Sequence, residues 1–196
     1  MRWTSGGDLR ILDFDLECRP LHWYGMDYVS KEITAIGCKF IGEPGPVQVW
    51  LLGDWQGSEM IEDFLDYYNA ADMVVGHYIR GYDLPTLAGA MLEFELGTLP
   101  DKLSHDTKLD LIKFEGLSKS QENLASTLGI EKPKIDMNQA KWRSANRLEN
   151  LELAYERVSG DVEQNIELRA ELLRRGLLGP PKVWHAGAGN MARYSA

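Results

Sequence analysis

The carboxylates of this chain are spaced in a way that suits metal-ion chemistry on phosphate. Asp15 and Glu17 fall in the run Ile11-Leu-Asp-Phe-Asp-Leu-Glu17, where apolar and acidic residues alternate. In a strand, positions i and i+2 point the same way, so the two acids are presented together. Asp13 shares their face but lies roughly 6–7 Å deeper. Cys18-Arg-Pro20 follows at once, setting Asp15 and Glu17 at the strand's end, where loops admit a substrate. Asp83 lies in Gly76-His-Tyr-Ile-Arg-Gly-Tyr-Asp-Leu-Pro85, and Asp161 in a long run of helical periodicity. Buried like charges cannot all ionise at close range without positive charge among them. Two Mg²⁺ or Mn²⁺ ions would balance four carboxylates, and hard oxygen donors are what these ions prefer. Two such ions about 3.5–4 Å apart can activate water against phosphorus and stabilise the leaving oxygen. Each acid also has an ordinary reading. Asp15 and Glu17 suit an exposed strand face, Asp83 a helix cap before Leu84-Pro85, and Asp161 an i,i+4 ion pair with Arg157.

The elements that must position these groups are legible as periodicities. Leu9 to Glu17 predicts a strand with Leu12, Phe14 and Leu16 opposite the acids. Glu32 to Ile41 and Pro46 to Leu52 predict two more, joined by the turn sequence Gly42-Glu-Pro-Gly45. A helix is predicted from about Ser58, with Met60, Ile61, Phe64, Leu65 and Tyr68 as its apolar stripe. Met73 to Gly76 predicts a short buried strand, Leu84 to Leu96 a helix, and His105 to Leu111 a fifth strand. Ser118-Lys-Ser-Gln121 has the form of a capping box, with Gly129 as the helix stop. A last long helix is predicted from near Ser144 to about Arg175. Residues 1–178 read as one domain, and 179–196, with Pro180 and Pro181, as a tail that lies over the surface or is partly disordered. This order predicts an α/β fold, a mixed sheet with helices on its faces.

A length of 196 residues suits one core, and 44% apolar residues can fill it. The net charge of −9 argues against a broad basic face for nucleic acid. The imbalance is local, however: residues 51–100 hold nine acids against Arg80, while 119–147 hold six bases and three acids. One side of the molecule can therefore meet a polyanion while another repels it, although solvated helix faces have the same look. Cys18 and Cys38 form no framework of disulfides, which points to a reducing compartment. No apolar run reaches the ~20 residues of a membrane span, and the first residues lack a signal-peptide core. The expectation is a soluble, cytoplasmic protein.

In this order and with these neighbours, the acids resemble the motifs of the DEDD (DnaQ-like) 3′–5′ exonucleases, a branch of the ribonuclease H-like superfamily. The stretch around Asp83 looks like the second exonuclease motif, in which an aromatic precedes the acid and Asn commonly stands several residues earlier. Tyr78 occupies the place of that Asn. Val158-Ser-Gly-Asp-Val162 resembles the third motif, where the usual base is Tyr four residues before the acid or His five before it. Arg157 and Glu156 stand at those places. Phage-encoded members of the superfamily are similar to this chain over most of its length, including Gly116-Leu-Ser-Lys-Ser-Gln-Glu-Asn-Leu124 and Met137-Asn-Gln139, and resemble it in the Arg-containing third motif.

The resemblance implies a ribonuclease H-like mixed five-stranded sheet flanked by helices. It implies metal-dependent 3′–5′ hydrolysis of single-stranded DNA or frayed 3′ ends, in replication, repair or phage growth, in the host cytoplasm if phage-encoded. Asp15, Glu17, Asp83 and Asp161 would ligate two Mg²⁺ or Mn²⁺ ions. Arg157 reads either as an ion-pair partner or as a stabiliser of phosphate charge. Tyr155 lies off the face of Asp161 unless Gly160 bends the helix. His105, beside Asp106-Thr107, is the candidate proton acceptor, against the plainer reading of a hydrogen-bonded strand-end histidine. His77 would support the second motif, and Trp23, Tyr24, Tyr78 and Tyr82 are candidates for stacking on terminal bases. Three alternatives stand beside this reading. They are a ribonuclease of the same fold, a non-catalytic module that binds nucleic acid or replication proteins, and an acidic protein that docks a basic partner.

Overall fold

Alternation in the first strand has to satisfy two faces, because helices cover both. The structure, a computed structural model, describes residues 9–21, 29–130 and 137–187; Trp23 and Tyr24 lie outside them. Strand β1 (Ile11–Pro20) pairs antiparallel with β2 (Lys31–Phe40), which pairs with β3 (Gln48–Leu51). On its other side β1 runs parallel to β4 (Met73–Gly76), and β4 runs parallel to β5 (Lys102–Asp106). The order is β3-β2-β1-β4-β5-β6, with β6 (Lys182–Trp184) antiparallel at the edge. Among the described residues the sheet thus has six strands where five were expected, because three residues of the expected tail pair with β5. Behind Pro180-Pro181 this run is too short to show a period, so only the free edge of β5 reveals it.

Helices α1 (Gly57–Ala70) and α2 (Asp83–Glu93) cover one face. Leu12, Phe14, Leu16 and Cys18 of β1 pack there with Ile36, Cys38, Trp50, Phe64, Tyr68 and Leu87. Both cysteines are free, and burial pushes the Cys18 thiol up to about 12, so they serve as small core residues. The other face carries α5 (Leu151–Arg174), with α3 (Gln121–Leu128) and α4 (Gln139–Asn146) packed against it. None of the helices among the described residues is long and apolar enough to cross a membrane.

Three boundaries differ from the periodic reading. The long helix expected from Ser144 is two helices, divided where Leu148 takes φ 61° and Asn150 caps α5 by accepting the Leu153 N–H at 3.0 Å. The cap of α3 is Ser120, not Ser118; its hydroxyl accepts from Asn123 N, and Gly129 closes the helix at φ 75°. The fifth strand begins earlier than His105 and ends at Asp106, after which Leu109–Leu111 forms a 3₁₀ turn.

What lets α5 approach the sheet is the pair of residues opposite the acids. Asp15 faces Gly37 across the ladder, and Glu17 faces Ala35. A Cβ on Gly37 would lie 2.9 Å from Val158 Cγ2 and 3.2 Å from the Val158 carbonyl oxygen. Small residues on β2 therefore leave the space that the middle of α5 fills. Gly37→Ala should cost about 1–3 kcal/mol by overpacking and lower the melting temperature by a few to about ten °C. Calorimetry checks this, and an unchanged melting temperature would mean that α5 does not rest on this contact.

Candidate metal centre

Asp15 and Glu17 stand on the same face of β1, half-buried beneath α5 rather than on an exposed strand face. Asp161 comes from the middle of α5 and is buried. Ligand oxygens of these three acids lie within 4.8 Å of one another. Two acids from a strand and one from a helix are thus brought together although some 140 residues separate them. As donors they are hard, anionic oxygens, and that chemistry fits a hard metal cation.

The guanidinium of Arg157 already lies among them. Its Nε donates to Glu17 Oε1, and its Nη2 is 3.7 Å from Asp161 Oδ2. Burial opposes the charge on Arg157, but attraction to Glu17 and Asp161 outweighs burial and raises its pKa. The i,i+4 ion pair and a place in the acidic cluster are both real. α5 runs unbroken through Gly160, and Tyr155 is 42% exposed, so no bend carries Tyr155 to the acids.

Asp83 stands apart from the trio. It does not cap α2; Tyr82 holds the cap position, and Asp83 opens the helix. Its carboxylate instead accepts the Leu16 N–H at 3.1 Å. The reason lies in strand lengths: β4 ends at Gly76 while β1 continues to Pro20, so among the described residues no strand pairs with the far half of β1 on that side. Burial pushes the Asp83 carboxyl up to about 8, helped by the charges of Asp106 and Glu17 and opposed by backbone N–H groups. Asp13 lies deeper still, fully buried, with Oδ2 accepting from Asn165 at 2.7 Å. Burial raises its pKa well above the usual range.

His105, the candidate proton acceptor, lies away from the trio. The ladder aligns Asp13 with Val75 and Val75 with His105, so the imidazole is level with Asp13 and two strands away, roughly 10 Å. Its Nδ1 faces the Nε–H of Arg169 at 3.3 Å, and its Nε2 faces the Gly179 carbonyl at 3.0 Å. Burial, with the charge of Arg169, lowers its pKa. The hydrogen-bonded strand-end reading describes this residue.

Several positioning residues escaped the motif-based reading. Asp106 accepts N–H bonds from Tyr78, Arg80, Lys108 and Leu109 at 2.8–3.1 Å, fastening the loop that leads to Asp83. Arg80 then pairs with Asp110 at 2.5 Å. Within that loop Tyr78 has φ 67°, a region that Asn tolerates better than Tyr. Along α5, Arg157, Asp161, Asn165 and Arg169 recur every fourth residue and meet Glu17, Asp15, Asp13 and His105 or their near neighbours. That polar i,i+4 stripe was a signal available in the sequence. His77 Nδ1 and Thr107 Oγ1 are 2.9 Å apart, and Thr107 donates to Asn165 at 2.6 Å.

A cavity of 530 Å³ opens between β2, α1 and α2, lined among others by Lys31, Tyr82, Thr86 and Phe94. It contains none of the trio but begins one residue from Asp83. Lys31 lies 4.2 Å from the centre of the Tyr82 ring and donates to Thr86 at 2.7 Å.

No family model matches the sequence, and no curated protein does either. Solved structures do match, among them a family B DNA polymerase from the hyperthermophilic archaeon Pyrobaculum calidifontis. The TM-score is 0.66 over 89% of this chain at 19% identity, and the chain spans 26% of the polymerase's length. At that identity the likeness is one of fold. The mixed sheet with helices on both faces is the ribonuclease H-like α/β arrangement.

The buried acids make a test in metal-free protein. Asp83 and Asp13 have folded pKa values above their unfolded ones, so folding takes up protons. Both contributions are full below the ordinary carboxylate range, and that of Asp83 is lost as pH rises through about 8. Melting temperatures in chelator should therefore fall between about pH 5 and about pH 8.5, and Asp83→Asn should flatten that fall. Equal slopes in the two proteins would mean that Asp83 is ionised throughout.

Proposed function

We propose that this protein is a divalent-metal-dependent 3′–5′ exonuclease of the DEDD type, acting on single-stranded DNA or frayed 3′ ends in replication, repair or phage growth. The observation that carries the reading is the trio Asp15, Glu17 and Asp161, with oxygens within 4.8 Å on a ribonuclease H-like sheet. These acids, with Asp83 once ionised, would hold two Mg²⁺ or Mn²⁺ ions. When bound, the ions supply Lewis-acid stabilisation of phosphate charge and lower the pKa of water. Arg157 reaches the same place and can donate to a phosphate oxygen, but it cannot accept a proton. Tyr82 and Lys31, beside Asp83, suit a terminal nucleotide by stacking and charge. Helix α4 and its end carry Lys141, Arg143 and Arg147, all exposed, a cluster of basic side chains that suits a phosphate backbone. This helix borders Glu17 and Arg157 through Trp142 and Asn146. RNA is a substrate of the same chemistry. A non-catalytic module for nucleic acid or replication proteins is the second reading, favoured by the arginine that stands where the family has its base.

A single strand labelled at its 5′ end tests the main reading. With Mn²⁺ it should give a ladder shortening from the unlabelled end, stopped by chelator and by a 3′-phosphorothioate block. Asp15→Asn and Asp161→Asn should each lower turnover roughly 10²–10³-fold, since a lost Lewis-acid contribution is worth several kcal/mol. A labelled mononucleotide as first product would reverse the polarity. Binding of the strand without cleavage under any divalent ion would favour the module.

A further inference from the structure

Arg157 is where this site departs from a plain carboxylate cage. Its guanidinium spans the acid of the strand and the acid of the helix, bonding Glu17 through Nε and approaching Asp161 through Nη2 at 3.7 Å. Building on the metal-dependent reading above, we propose that Arg157 is a resident counter-ion that competes with the divalent ion. It holds the acids together in the free protein, and it leaves Glu17 when the ion enters.

Three features carry this. First, the guanidinium engages a Glu17 oxygen within the trio that offers itself to a cation. An arginine cannot make way by losing a proton, so it makes way only by moving. Second, a guanidinium and a dication sharing one carboxylate group repel each other strongly even at an effective dielectric of about 20. Third, the arginine has somewhere to go. Its side chain is 22% exposed, against 14% for Glu17 and 8% for Asp161, so it lies on the solvent side of the cluster. Its backbone sits in the unbroken helix α5, so the movement is a change of side-chain torsions alone. Turned away from Glu17, the guanidinium can take a phosphate oxygen as its partner in place of Glu17. Metal and nucleic acid then assist one another, because each favours the same displaced arginine.

Titration calorimetry with MnCl₂ on the full chain tests the competition directly. Arg157→Gln keeps a hydrogen-bonding side chain and removes the charge. It should bind Mn²⁺ roughly tenfold tighter or more than the unsubstituted protein. Equal or weaker binding by a variant with an unchanged circular dichroism spectrum overturns the proposal and leaves the metal site standing. Absence of Mn²⁺ binding by either protein overturns the metal-dependent reading and the proposal with it. A measurement on the unsubstituted protein covers a variant that fails to fold. With ¹⁵N-labelled arginine, the Arg157 Nε–H resonance should shift and exchange faster with water as Mg²⁺ is added. A resonance that stays in place while Mg²⁺ saturates the protein overturns the competition.

Discussion

Packing α5 against the acid-bearing face of β1 sets a charge problem around which much of the structure is arranged. Three carboxylates with oxygens within 4.8 Å repel one another by roughly 3 kcal/mol per pair at an effective dielectric of about 20. The helix that adds the third negative charge also brings the positive one, because Arg157 stands one turn before Asp161. Asp13 and Asp83 meet the same problem differently. Burial drives both toward the protonated form, and each takes a hydrogen bond that fixes its orientation. Asp83, which burial holds toward the protonated form near this cluster, is a group whose charge state a divalent ion can decide.

Placement of the acids depends on where strands stop. β1 outruns β4, and past their pairing the Leu16 N–H of β1 donates to Asp83 at the start of α2. The loop between β4 and α2 must therefore be held to a fixed path. Asp106 does this with backbone N–H bonds, at the cost of a tyrosine at positive φ. Local strain of this kind persists only where the surroundings over-determine it, and here it sits one short loop from Asp83.

The seam between α5 and the sheet is unusually polar for a buried contact. Asn165 joins Asp13 to Thr107, and Arg169 meets His105. Apolar packing tolerates a helix sliding by a fraction of a turn, whereas a chain of hydrogen bonds does not. The seam thus fixes the axial position of α5 and with it the height of Asp161 over Asp15 and Glu17. Histidine 105 belongs to this seam, which is why its burial and neighbours suit structure better than proton transfer.

Much of this was legible in the sequence. The i,i+2 spacing of Asp15 and Glu17, the apolar stripe of α1, the turn at Gly42 and Gly45, and the buried run Met73–Gly76 all follow from neighbours a few residues apart. Strand and helix periods are properties of the local backbone, so local residue order suffices to read them. The sheet-edge strand Lys182–Trp184, the acceptance of the Leu16 N–H by Asp83 and the depth of His105 were not legible. Each depends on the register between strands or on where a distant strand ends. The approach of α5 over Gly37 and Ala35, which carries Asp161 and Arg157 to Glu17, is of the same kind. A residue pattern says which side of an element is apolar or charged. Which partner covers that side, and at what height, is decided by packing between segments far apart in the chain.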